Sequence, residues 1–271
     1  MKPTTLLASC AAAATTALGA SVPQSAAAGH RIPTSYESAI MGRRILAKTP
    51  LAVVSTIFPA DSDSDSEASP DENRPAGMGG QPHGLMEYIA DCDPSSATEG
   101  GNPTILAISI ETSFKNVAAG SNVSLAVQWT PPHPPAKRIA SVSSFLSRFL
   151  GGEKQVADPS TYSAANLPRF SLHGHIERID GGDRDKNLAA CFVKTHPDAR
   201  YWLPGNRIHE SHFVRLVVEQ VYWVGGFGDR AYIGWIPVGE WRGVTREEWE
   251  AVRLPGEEKG WKEWSLLGDD L

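Results

Sequence analysis

Cysteine and long apolar runs are scarce in this chain of 271 residues. Its three cysteines are Cys10, Cys92 and Cys191, so one chain can contain at most one disulfide. After the first residues, no run approaches the roughly 20 apolar residues that cross a bilayer, and we expect no membrane span. Basic residues are also in deficit, because 25 Lys and Arg face 31 Asp and Glu. The resulting net charge of −6 disfavours nucleic-acid binding.

The first 20 residues have the composition of a secretory signal peptide. Lys2 precedes the apolar run LLASCAAAATTALGA, and small residues follow near Gly19 to Ser21. No arginine occurs before Arg31, which disfavours a mitochondrial presequence and leaves a disordered Ala-rich leader as the other alternative. We therefore expect residues 1–20 to be removed and the protein to be secreted or to lie in the secretory-pathway lumen. Residues 21–39 are then an N-terminal segment.

Secretion would give two further features a meaning. Cys92 and Cys191 could form a disulfide in an oxidising compartment, although two buried free thiols fit the sequence equally well. The triplet from Asn122 to Ser124 is an acceptor for N-glycosylation, whereas Asn102 is followed by proline. We expect glycosylation at Asn122 if the chain is secreted.

Short runs of branched and aromatic residues, bounded by Pro, Gly, Asn or Asp, predict strands throughout the chain. They occupy residues 50–59, 84–92, 103–110, 122–129, 169–179, 212–224 and 231–237. Seven such runs favour a mainly β fold of the α+β class, with an antiparallel barrel or sandwich.

Fewer segments predict helices. An i, i+3, i+4 stripe runs from Ile139 to Phe149, and residues 183–202 form a second helical segment that Pro197 interrupts. A third helix begins at Thr245, where Glu248 completes a capping box. Residues 60–83 are acidic and then rich in Gly and Pro, which predicts a mobile loop; a calcium site is the alternative there.

The run VYWVGGFGDRAY at residues 221–232 places three glycines after a strand. It lacks both the G-x-G-x-x-G fingerprint and the G-K-[ST] of a Walker loop, and a strand follows it instead of a helix. On physical grounds the glycines indicate a sharp bend between two strands.

Several stretches together resemble the FMN-binding split-barrel superfamily of pyridoxamine 5′-phosphate oxidase, and within it the CREG-type and haem-utilisation-type branches. They are FVRLVVEQVYWVGGFGDRAYIGWI, LHGHIERI, HPDARYW and the strand, short helix and strand of ISIETSFKNVAAGSNVSLAVQW. The resemblance covers about Ile40 to Val252. It implies an antiparallel split β-barrel with a few flanking helices, over residues 40–252, followed by a C-terminal tail at 253–271. It also implies a homodimer that holds any FMN at its interface.

The resemblance also suggests which residues would hold FMN. Trp223, Gly225 and Gly226 match a Trp-x-Gly-Gly turn that helps to hold flavin in the oxidases. The arginine that follows this turn in the oxidases would fall on Asp229, one place before Arg230, and the phosphate-binding lysine would fall on Ser113. The complete set of candidate cofactor residues is Ser113, Lys115, Asn116, Trp223, Gly225, Gly226 and Arg230.

A metal site is a separate hypothesis. His173, His175 and Glu177 alternate along a predicted strand and so share one face of it, as two imidazoles and a carboxylate do in some sites for divalent ions. A solvated strand face has the same pattern.

Three functions therefore remain open. The first is a secreted FMN-binding split-barrel protein, with flavin-dependent oxidoreductase activity if it is an enzyme. The second is a secreted interaction module without catalysis, which the CREG-type branch suggests because its members lack the same cations. The third is a His-x-His metal-dependent enzyme.

Overall fold

The computed structural model describes residues 31–60, 74–92, 100–136, 163–179 and 183–262. Its strands are β1 Leu51–Ile57, β2 Pro82–Ala90, β3 Thr104–Ile108, β4 Val123–Gln128, β5 Arg169–Arg178, β6 Ser211–Val224 and β7 Ile233–Ile236. Its α-helices are α1 Ser35–Lys48, α2 Thr112–Ala118, α3 Asp183–Thr195, α4 Val238–Gly243 and α5 Arg246–Ala251. The predicted signal peptide, the acidic part of the predicted loop and the stripe at 139–149 lie outside the described residues.

The strands form a closed antiparallel barrel. Their order is β3, β2, β1, β4, β5, β6, β7, and a further pairing between β3 and β6 closes the first six strands into a ring. Strand β7 extends the sheet beyond β6. The predicted α+β split-barrel fold is therefore confirmed. Among the described residues, no helix is long and apolar enough to cross a membrane.

A β-bulge in β6 keeps apolar side chains pointing into the barrel. His173 of β5 pairs with Gln220, but the next residue, Gly174, pairs with Val218, so Glu219 is an extra residue in β6. Burial alternates through Leu216 and Val218 before the bulge, and then resumes at Val221 and Trp223. Even-numbered residues of β6 thus face the core before the bulge, and odd-numbered residues face it afterwards.

The backbone at the bulge finds partners in side chains. The Val218 N–H donates to Asn102 Oδ1 at 2.9 Å, and the Val218 carbonyl accepts from Arg242 at 2.6 Å. Buried backbone groups that lose ladder partners need such replacements.

Helix α1, which the sequence did not predict, packs against one end of the barrel. Thr34 and Glu37 form a capping box at its start. Its Arg43 and Arg44 are buried. The Arg43 guanidinium donates to the Trp241 carbonyl at 3.1 Å, and Arg44 forms an ion pair with Glu257 at 2.6 Å. These partners lie about 200 residues further along the chain, so helical periodicity alone could not indicate that the arginines are buried.

A smaller apolar cluster lies outside the barrel, between α3 and the strands β2, β3 and β6. Leu188 and Phe192 of α3 pack there with Phe213. A disulfide joins Cys92, after β2, to Cys191 in α3, with the two Cα atoms 5.8 Å apart. The Cys92–Cys191 pairing that the sequence left open is thus present in the structure.

The bulge makes Gly174 irreplaceable. A Cβ atom at this position would lie 1.8 Å from the Val217 carbonyl oxygen, which belongs to the backbone and cannot rotate away. We expect Gly174→Ala to lower the free energy of unfolding by about 3 kcal/mol or more in urea titrations. Gly239→Ala is the matched control, because a Cβ there meets nothing within 4 Å, and it should be neutral or slightly stabilising. Equal stability of the two variants would contradict the bulge geometry.

Candidate functional site

Helix α2 buries two of the three candidate residues that it carries. Ser113 is 1% exposed and Asn116 is fully buried. The Asn116 side-chain amide donates to Thr56 Oγ1 of β1 at 3.0 Å. The Ser113 hydroxyl is buried without a hydrogen-bond partner, as is the Asn116 Oδ1 oxygen. The position at which the resemblance predicts a phosphate-binding lysine is therefore closed to solvent and has no cation.

Two carboxyl groups lie beside this end of α2. Burial, together with the nearby Glu111, raises the pKa of the Glu87 carboxyl to about 7. Burial also raises the pKa of Glu111, opposed by the Ile108 backbone N–H, which donates to its Oε2 oxygen at 3.4 Å. Bringing an anion here would add a third negative charge once both groups ionise.

Lys115 turns to a different part of the surface. It lines a cavity of about 220 Å³ together with Phe58, Arg74, Met78 and other residues. Sequence reasoning missed Arg74, because its place just after the acidic run gave no indication that the guanidinium would be buried.

The candidate residues at the end of β6 form a bend. Trp223 is fully buried, and its ring stacks on Phe170 inside the barrel with centroids 5.6 Å apart. Gly225 donates its N–H to the Tyr232 carbonyl at 3.0 Å, which ties β6 to the approach to β7. The predicted bend between strands is confirmed. The predicted contact of Trp223 with flavin would require this ring to leave the core.

The other glycine is needed for its conformation. Gly226 has a φ of +147°, which L side chains rarely adopt, and a Cβ there would lie 3.1 Å from the Asn166 carbonyl oxygen. Arg230, which is close to this bend, donates from Nε to its neighbour Asp229 at 2.9 Å.

Within one chain the two groups of candidate residues lie at opposite ends of the barrel. Helix α2 ends at Ala118, just before β4 begins at Val123, so it lies near the start of β4. Ser121, between the two, accepts a hydrogen bond of 2.7 Å from the Ile57 N–H at the end of β1. Trp223 lies near the other end of β4, because Val127 pairs with Phe170 and Phe170 pairs with Trp223. The four residue steps from Val123 to Val127 span about 13 Å at the rise of a strand. The structure therefore does not bring all the candidate cofactor residues into one site.

The predicted metal ligands have other partners. His175 Nδ1 lies 2.9 Å from Glu219, Glu177 forms an ion pair with Arg215 at 2.8 Å, and the His173 ring lies 5.8 Å from that of Trp235. No three His, Cys, Asp or Glu side chains in the described part of the chain are grouped to hold a metal ion. The structure thus gives each of the three residues a different partner, and a metal site at these residues stays an untested hypothesis.

Aromatic side chains cover the outer face of β6 and β7. Trp235 is 55% exposed and Tyr222 is 38% exposed, with their rings 5.1 Å apart. Ile233, on the same face of β7, is 44% exposed. Exposed apolar groups this close together typically mark an interaction surface.

The profile of the family described as CREG, beta-barrel matches residues 33–249. The chain belongs to this family. Comparison with curated proteins finds no match.

Comparison with solved structures finds distant similarities. A haem-binding protein from Mycobacterium smegmatis is 17% identical, with a TM-score of 0.46, over 78% of this chain and 61% of that protein. A putative pyridoxamine 5′-phosphate oxidase from Lactobacillus delbrueckii is 14% identical, with a TM-score of 0.31, over 67% of this chain and 90% of that protein. The CREG-family chain thus spans less than two thirds of the mycobacterial protein's length.

FMN binding, which the resemblance to the wider superfamily implies, stays a prediction, and the geometry at Ser113 and Trp223 disfavours it. A flavin phosphate is held by charge-assisted hydrogen bonds, each contributing about 1.5–3 kcal/mol. Here the expected lysine position holds the buried Ser113, with Glu87 and Glu111 close by. At the other end, Trp223 is in the core.

The Glu87 carboxyl makes stability depend on pH. Its pKa of about 7 in the folded chain exceeds the ordinary value of 4.5, so the folded state holds this proton more tightly and loses stability as the pH rises from about 4.5 through 7. Relative to the wild type, the free energy of unfolding of Glu87→Gln should rise by about 1–2 kcal/mol when the pH is raised from 4.5 to 8, allowing for solvent screening. Urea titrations at both pH values measure this difference.

The matched control is Glu247→Gln, which changes an exposed carboxyl on α5. The difference between its free energy of unfolding and that of the wild type should be the same at both pH values. If the difference for Glu87→Gln were also the same at both pH values, Glu87 would be an ordinary solvated carboxyl.

Proposed function

We propose that this CREG-family chain is a secreted, homodimeric interaction module that does not use flavin for redox chemistry. The observation that carries the proposal is the charge around Ser113. A buried hydroxyl stands where the resemblance expects a phosphate-binding lysine, Glu111 precedes it by two residues at the start of α2, and Glu111 in turn raises the pKa of Glu87. Losing one charge-assisted bond to a phosphate costs about one to two decades of affinity.

Two features support a secretory compartment. The disulfide between Cys92 and Cys191 is a type of bond that persists in oxidising compartments and is rare in the cytosol. Asn122 is exposed at the start of β4, where a glycan would project into solvent. Both agree with the signal peptide expected at residues 1–20.

A second copy of the chain is our proposed occupant of the exposed aromatic face. Ile233 and Trp235 lie on β7, which ends the sheet, so one side of its backbone has no neighbour among the described strands. A second copy could cover these side chains and the adjoining Tyr222, since aromatic residues are enriched at the centres of interfaces. The split-barrel resemblance also implies a dimer.

Flavin titration tests the proposed function. We expect no saturable binding of FMN at concentrations up to about 100 μM at pH 8, and no difference between FMN and riboflavin, because the Ser113 position supplies no cation for the phosphate. Fluorescence quenching of each flavin measures this. Micromolar FMN binding with much weaker riboflavin binding would refute the proposal. In that event, Lys115→Ala and Arg230→Ala would identify the cation that holds the phosphate.

Protein recovered from the medium of its native host tests compartment and assembly. Its N-terminus should lie near residue 20, its mass should fall on glycosidase treatment, and denatured but unreduced protein should contain no free thiol. Light scattering should give the mass of two chains. Full-length, unglycosylated protein retained inside cells would contradict secretion.

Trp235→Ser should shift the scattering mass to that of one chain, because it removes the most exposed ring of the aromatic face. Tyr201→Ser is the matched control: Tyr201 is 59% exposed but lies outside this face. A one-chain mass for the wild type would contradict the dimer.

A further inference from the structure

The ring of strands is thinly closed between β2 and β3. These two strands pair at two positions only, Ile89 with Ile105 and Ala90 with Thr104. Over residues 82–88, β2 therefore has β1 on one side and none of the described strands on the other. A strand edge of this kind presents a row of N–H and C=O groups with which another chain can pair.

The ladder with β1 shows which residues of β2 face the open side. The Ile89 N–H donates to the Pro50 carbonyl at 2.9 Å, so the odd-numbered residues of β2 share hydrogen bonds with the β1 side. Backbone groups of an antiparallel strand point alternately to its two sides. The even-numbered Gly84 and Met86 therefore direct their N–H and C=O groups away from β1, towards the open edge.

The open segment also exposes apolar side chains on both of its faces. Leu85 is 54% exposed, although it pairs with Val54, which is 1% exposed and lies in the core. Met86, on the opposite face of the strand, is 66% exposed. An added strand would lie beside both side chains and cover them.

The core-side face of this edge is acidic. Glu87 pairs with the buried Ala52 and so shares that face with Leu85. The carboxyl of Glu111, whose Oε2 oxygen accepts from the Ile108 N–H at 3.4 Å, lies close enough to raise the pKa of Glu87 in addition to the effect of burial. None of the described basic side chains opposes this shift. A cation placed beside Glu87 would therefore stabilise the ionised carboxyl.

We propose that the open edge of β2 binds an extended, basic segment of a partner protein as an additional strand. This inference rests on the proposed function, because it names the chemistry of the partner that the interaction module takes. The backbone of the segment would pair with Gly84 and Met86. On its core-side face, a Lys or Arg would lie beside Glu87, and an apolar side chain two residues away would lie beside Leu85.

A synthetic peptide of about eight residues tests the edge on the mature, disulfide-bonded protein. Valine and threonine alternate in it, and one central valine is replaced by lysine. Calorimetry or chemical-shift changes at pH 8, above the Glu87 pKa of about 7, should give a Kd of about 0.5 mM or tighter at low salt. Glutamate in place of the lysine should weaken binding by about tenfold or more.

Backbone methylation of the peptide separates strand pairing from a contact made by side chains alone. Methyl groups on the amide nitrogens that face β2 should abolish saturable binding, because those N–H groups pair with β2 carbonyls. The matched control has methyl groups on the alternate nitrogens, which face away from β2, and should bind nearly as well as the unmodified peptide.

Substitutions at Met86 test the same pairing from the protein side. Met86→Pro removes an N–H on the open side and leaves the ladder with β1, so it should abolish peptide binding. Met86→Ala keeps that N–H and should weaken binding by about fivefold or less. If Met86→Pro does not fold, the two methylated peptides decide the question on the wild type.

Glu87→Gln should weaken binding of the lysine peptide by about fivefold to tenfold and leave unchanged the binding of a peptide with valine at that position. Glu247→Gln, which changes an exposed carboxyl on α5, should have no effect on either peptide.

Four results would overturn the proposal. They are absence of saturation by the lysine peptide up to about 5 mM, equal affinity for the two methylated peptides, equal affinity for the glutamate peptide, and a fall of the scattering mass from two chains to one in Met86→Pro. The last result would mean that a second copy covers the edge. The flavin titration is done without peptide, so failure of the proposed function is seen separately.

Discussion

Strand β6 holds the barrel together because it pairs with three neighbours: β5, β3 and β7. Pairing with β3 turns an open sheet into a ring, and a ring can enclose a core only if every strand keeps its apolar side chains inward. Strand β6 has 14 residues, and strict alternation of buried and exposed side chains does not hold along its whole length. The bulge at Glu219 restores the inward orientation of apolar side chains, and Asn102 and Arg242 satisfy the backbone of Val218 at that point.

The strands and the barrel could be predicted from the sequence, because branched residues bounded by glycine and proline mark strands locally. The orientation of Trp223 could not, since it depends on a bulge four residues earlier whose pairing partner is on β5. Helix α1 was missed for a similar reason. Its Arg43 and Arg44 resemble a solvated face until their partners from the C-terminal part of the chain, among them Glu257, are in place.

Electrostatics divides the surroundings of α2 into two unlike regions. Glu87 and Glu111 make one region acidic, and Arg74 and Lys115 make the other basic. The sequence showed that Lys115 is a cation on α2, but it did not show which charged side chains lie near this helix, because Arg74 and Glu87 come from other segments. Membership of the CREG family thus accounts for the barrel, whereas the charges around α2 come from side chains on several segments of the chain.

The disulfide joins Cys92 to Cys191, which are 99 positions apart in the sequence, and the loop that it closes contains β3, α2, β4 and β5. A protease that cuts one peptide bond within that loop would leave two polypeptides that remain covalently joined. Strands β3 and β5 would also stay paired to β6, which lies beyond the second cysteine. A nicked, two-chain form of the molecule would therefore stay folded and would separate on a gel only after reduction.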